Sequence, residues 1–128
     1  MSEDFVPYKL AVKLKEKGFI GNGDIGCCCG FYCEEGFNIN IMYDDLNNNE
    51  LLHNEYLRPS ISQVLKWLRS EKKIYCLPHF EQGIDMWFFY IAKPQAGCEF
   101  PEYMSESIYD TYEQAALAGI EYVLDNLI

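Results

Sequence analysis

Six cysteines and two histidines are the residues of this chain best suited to hold a metal ion or attack a substrate, and their spacing is uneven. Cys27, Cys28, Cys29 and Cys33 crowd into the run CCCGFYC, Cys76 stands three residues before His79, and Cys98 and His53 are isolated. Tetrahedral zinc takes thiolate and imidazole ligands, so Cys27, Cys29 and Cys33 with the Cys76-x-x-His79 pair form a candidate ligand set. Two features oppose it. No two properly spaced Cys-x-x-Cys motifs occur, and a strand would set Cys27 and Cys29 on one side with Cys28 opposite. Reduced cysteine behaves as a small, readily buried hydrophobe. Buried structural thiols are therefore the expected role. No metal site, cofactor or catalytic residue is assigned, and a zinc module or a zinc- or thiol-dependent enzyme stands as the alternative at those five positions.

A thiol nucleophile also needs a base, and nothing in the spacing brings His53 or His79 to a particular cysteine. The adjacent carboxylates Glu34-Glu35 and Asp44-Asp45 read as solvated turn charges, because acid and base groups of a glycosidase must face each other across a substrate. GxxxxGK[ST], GxGxxG, HExxH and GxSxG are all missing, which lowers the expectation of the corresponding enzymes. Trp87, Phe88, Phe89 and Tyr90, with Trp67, are a candidate stacking platform, although sheet core is the commoner fate of such a run. Lys66, Arg69, Lys72 and Lys73 suit an acidic partner or, more simply, the solvated side of a helix.

The elements that would position these groups follow from periodicity. Pro7 at a helix start, Leu10, Ala11 and Leu14 on one face and Gly18 at the stop predict a helix over 7–17. CCCGFYC and the alternating FNINIMY predict a hairpin turning at Glu34-Glu35-Gly36. Residues 44–59 are polar and read as a long surface loop, with a short helical turn near Leu51 and Leu52. Ser60 opens a Ser-x-x-Gln box with Gln63, and Ile61, Val64, Leu65 and Leu68 follow at amphipathic helical spacing. IYCLPHF and IDMWFFYIA, joined through Glu81-Gln82-Gly83, predict a second hairpin, and WFFY, apolar on both alternating faces, a central or covered strand. Asp110-Thr111 with Glu113 and Gln114 begin a last helix, whose stripe runs from Tyr112 through Ala115, Ala116, Gly119, Ile120, Val123 and Leu124 to Leu127. The expectation is one α+β domain over 1–128 in the order αββαββα, an antiparallel sheet of about four strands in two hairpins against helices. The repeated helix-hairpin order, 7–43 and 60–92, raises an internal duplication.

Bulk properties narrow the function classes. With 128 residues, 49% hydrophobic and 16% aromatic, the chain has the means to bury one good core and is far from the signature of disorder. Its 20 acidic against 10 basic residues give a net charge of −10, which repels a phosphate backbone and makes nucleic acid an unexpected partner. Nine of the ten bases lie in 9–17 and 58–73, while 94–128 hold seven acids and no base. The opening MSEDFVPYKLAVKL has no basic stretch followed by an apolar run, and no segment approaches about 18 apolar residues, so neither an export signal nor a membrane partner is expected. Three consecutive cysteines suit no spaced disulfide framework, and reduced thiols in a cytoplasmic protein are the expectation.

The segments VPYKLAVKLKEKGF, SISQVLKWLRSEKKIYCLPHF and YDTYEQAALAGIEYVLDNLI, about half the chain, resemble small uncharacterised proteins frequent in gut Bacteroides-type genomes and their prophages. The resemblance implies a cytoplasmic or phage-associated context and no particular activity, and CCCGFYC is not part of it. The expected role is a non-enzymatic protein-interaction or accessory module that acts through a protein partner or by self-association. A second alternative is an acidic mimic of nucleic acid that inhibits a DNA-binding protein.

Overall fold

A computed structural model describes residues 5–19, 31–32, 38–39, 56–93 and 103–128. It is a mixed α+β protein with antiparallel strands, and the chain divides into two compact units, Met1–Val64 and Leu65–Ile128.

In the first unit α1 spans Tyr8–Glu16, with Pro7 as the extended cap residue just before it. The stop is a Schellman closure: Gly18, at φ +92, donates to Lys15 O and Phe19 to Leu14 O. Leu14 and Phe19, the two residues such a motif brings together, are each 1% exposed. Leu10 and Ala11 complete the buried stripe that the spacing predicts. Strands β1 (Phe31–Tyr32), β2 (Asn38–Ile39) and β3 (Tyr56–Leu57) form an antiparallel sheet in the order β2-β1-β3. The register Phe31↔Ile39 and Tyr32↔Asn38 brackets Glu34-Glu35-Gly36 as the hairpin reading requires. β3 replaces the end of the expected polar loop, and residues 44–55 of that loop, with its helical turn, fall outside the described residues. The rings of Tyr32 and Tyr56 both meet Tyr8 edge-on at 5.8 and 5.7 Å, and the Tyr32 hydroxyl donates to Val6 O at 2.6 Å. Burial raises the Tyr32 pKa against the opposing pull of Arg58, whose guanidinium lies 4.4 Å over Phe5.

Helix α2, Ile61–Trp67, opens with the predicted capping box, the Ser60 amide on Gln63 Oε1 at 2.8 Å and the Gln63 amide on Ser60 Oγ at 3.2 Å. Ile61, Val64, Leu65 and Leu68 are all buried. A π-helical turn, Leu68–Lys72, follows and closes on Lys73 in the left-handed conformation. There Leu68 O accepts from both Lys73 and Ile74, the α1 closure widened by one residue.

The second unit holds β4 (Tyr75–Glu81), β5 (Met86–Ala92), β6 (Tyr103–Met104) and α3 (Tyr112–Asn126). The sheet order is β4-β5-β6, so the WFFY strand is central as expected. The turn sits at Gln82–Asp85, with Asp85 at φ +52, one residue beyond the expected Glu81-Gln82-Gly83. Thr111 caps α3 by accepting from Gln114 N at 3.1 Å. Ala116, Ile120, Val123 and Leu124 are wholly buried, each contributing roughly 1.5–3 kcal/mol of transfer free energy for the larger side chains. Central position falls to the first strand in one sheet and to the second in the other, so the two helix-hairpin segments share element order without sharing topology. Among the described residues no helix is long and apolar enough to cross a membrane.

Candidate functional site

The β4–β5 register fixes which side chains can act together. Cys76 opposes Ile91, Pro78 opposes Phe89 and Phe80 opposes Trp87, while Leu77 opposes Tyr90, His79 opposes Phe88 and Glu81 opposes Met86. Successive residues point to opposite faces, so the first three pairs share one face and the last three the other. The face of Cys76 and Phe89 is the one against α3: a Cβ placed on Gly119 of that helix would press on Cys76 Sγ and come within 3.2 Å of the Phe89 ring. Phe89 and Ile91 are buried there. Tyr103 of β6, opposite Ile91, joins this side and stacks on Tyr122 of α3 at 3.9 Å.

Hydrogen bonding along β5 settles the orientation of the edge. Phe89 N donates to Ser105 Oγ, Ser105 N donates to Phe89 O, and Trp87 and Tyr109 exchange both backbone bonds at 2.8 and 2.7 Å. The polar groups of Trp87 and Phe89 thus turn toward the β6 side, which makes Pro78↔Phe89 a non-hydrogen-bonded pair. Pro78, which has no N–H, therefore presents its missing donor on the outer side of β4, the outermost strand of this sheet.

The face away from α3 is the candidate site. Leu77, Tyr90 and Met104 form a row across the three strands, and His79 with Phe88 form the next row. The His79 ring lies 5.1 Å from Phe88 and 6.1 Å from Tyr90, and Phe88 and Tyr90 are 6.0 Å apart. Leu77 is 37% and Met104 54% exposed, and Phe88 and Tyr90 are half-buried. Apolar side chains that are contiguous on one face, rather than scattered singly, are the kind of surface that marks an interaction site.

The same geometry parts Cys76 from His79. Cys76 is buried on the α3 face and His79 is exposed on the opposite one, so the Cys76-x-x-His79 pair cannot grip one ion together. Burial pushes the Cys76 thiol up from 9.0 to about 12, the reverse of what a nucleophile or metal ligand needs. Cys27, Cys29 and Cys33, His53, Glu34-Glu35 and Asp44-Asp45 lie outside the described residues. Among the described residues no three His, Cys, Asp or Glu side chains gather in a way that could hold a metal ion. The aromatic run divides: Phe89 and Trp67 are buried, Trp87 packs between Phe80 and Tyr112 at 5.3 and 5.4 Å, and only Phe88 and Tyr90 reach the open face. Of the basic cluster, Lys66, Arg69 and Lys73 are exposed, and Lys72 Nζ lies 5.4 Å over the Trp67 ring. Sequence reasoning passed over Leu77, His79 and Met104 as surface contributors, because strands apolar on both faces hide which face is open.

No family model matches the chain, and no curated protein or solved structure matches it. What the face can do follows from its own composition. Three rings, one of them the His79 imidazole, and two flexible apolar side chains offer adhesion and stacking.

Proposed function

We propose that this chain is a non-enzymatic protein-interaction module, and that it docks its partner on the open face of the β4-β5-β6 sheet. One observation carries the reading: the row Leu77–Tyr90–Met104 leaves large apolar surface in water beside the His79–Phe88 pair, on the side of the sheet that α3 does not cover. A sheet stabilised by one helical layer has no need of apolar side chains on its other face, where alternation normally sets polar ones. The inertness of Cys76 supports the non-enzymatic half, since its thiol is held neutral in the core. A free, protonated thiol also suits a reducing, cytoplasmic setting.

Selection of a random displayed-peptide library on the full chain tests the proposal. The recovered peptides are expected to compete with one another and to lose binding to the Leu77→Ser and Met104→Ser variants. Peptides that bind both variants undiminished would contradict it, as would turnover of a small-molecule substrate by the purified protein in a broad screen.

A further inference from the structure

The open face has a charge character as well as an apolar one. Among the described residues of β4, β5 and β6 it carries no Lys or Arg, and its formal charge is the exposed Glu81, opposite Met86 and one row beyond His79–Phe88. The face is therefore graded along the strands, from the apolar row of Leu77, Tyr90 and Met104, through aromatic rings, to a carboxylate. Ring faces attract cations, arginine above all, and a carboxylate within a diagonal step of Phe88 strengthens that preference. The whole chain adds the same sign, with a net charge of −10.

We propose that the occupant of this face is an extended cationic segment of a partner protein, with an Arg laid over Phe88 toward Glu81 and an apolar side chain two residues away against Leu77 and Met104. The proposal rests on the docking reading above and names its partner. Rows on one face of a sheet are about 6.5–7 Å apart, the spacing of side chains i and i+2 in an extended peptide, so an apolar-x-Arg sequence matches both rows at once. Pro78 removes one donor from the outer edge of β4, which weakens an added strand there and favours recognition by side chains. Single-stranded nucleic acid also stacks on aromatic rows, but its phosphates would meet Glu81 and no Lys or Arg among the described strand residues of this face. A second copy of the chain would bring the same negative charge to the contact.

The test is a fluorescence titration of the full chain with labelled peptides containing Leu-Ser-Arg, Leu-Ser-Gln or Leu-Ser-Glu in an otherwise identical Ser/Gly frame, with oligothymidylate as a fourth probe. The Arg peptide is expected to bind most tightly. Phe88→Leu, which keeps an apolar side chain and removes the ring, should weaken it about two- to fivefold, and Glu81→Lys about fivefold or more. Met104→Ser should weaken the Arg and Gln peptides alike. If Met104→Ser weakens both and Arg shows no advantage over Gln or Glu, the cationic assignment falls and the docking reading stands. If neither peptide responds to Met104→Ser, or none binds saturably at millimolar concentration, both fall. Tighter binding of oligothymidylate, or a dimer in sedimentation that Met104→Ser dissolves, also overturns the proposal.

Discussion

At Gly119 the helix α3 packs closely on the sheet, because its missing side chain lets Cys76 Sγ and the Phe89 ring sit against the α3 backbone. Alanine in a helix interior is worth about 1 kcal/mol over glycine, and overpacking a core costs about 1–3 kcal/mol. The steric term should win, so Gly119→Ala is expected to destabilise by about 1–2 kcal/mol in urea unfolding, and Cys76→Ala in the same chain should recover part of that loss. Additive losses in the double variant would show that the contact is not shared. The Cys76 thiol also makes a statement about pH. Its folded pKa lies near 12 against 9.0 for an ordinary thiol, so the unfolded chain ionises first as pH rises. The contribution is fully present below pH 9 and is lost between about 9 and 12, by up to about 1.4 kcal/mol per pH unit. Wild type and Cys76→Ala should therefore converge in stability across that window when melting is followed by circular dichroism. Parallel curves would mean that the thiol is not desolvated.

At the scale of elements, helix starts and stops were written plainly in the sequence. Ser60 with Gln63, Thr111 with Gln114, and Gly18 each perform locally the function that their type and spacing announce. The stop of α2 is the exception, since a lysine occupies the left-handed position that usually goes to glycine. Lys73→Gly is expected to stabilise by about 0.5–1 kcal/mol, despite the loss of the Lys73 Nζ bond to Ser70 O, and a raised urea midpoint at unchanged slope would register it. Strands β3 and β6 were illegible for a physical reason: the pairings that create them are long-range, and no local pattern records them. The divided role of WFFY was half legible. Its density announced a central strand, but which residues stay open depends on where α3 lies, and no local pattern records that. Pro78 protects the outer edge of β4, so Pro78→Val should restore a donor there and promote concentration-dependent association in sedimentation, while a strictly monomeric variant would argue that the edge is guarded by other means.

At the scale of the molecule, net charge −10 and an aromatic face on the side of the sheet away from α3 are the features on which the proposed docking role rests. The packing of α3 holds the Cys76 thiol buried and protonated. The most direct measurement is methyl nuclear magnetic resonance of the full chain, titrated with a peptide recovered by selection. Shifts should concentrate on the Leu77 and Met104 methyls and leave Ala116, Ile120 and Val123 of α3 unmoved. Shifts confined to α3, or spread evenly over both faces of the sheet, would contradict the account.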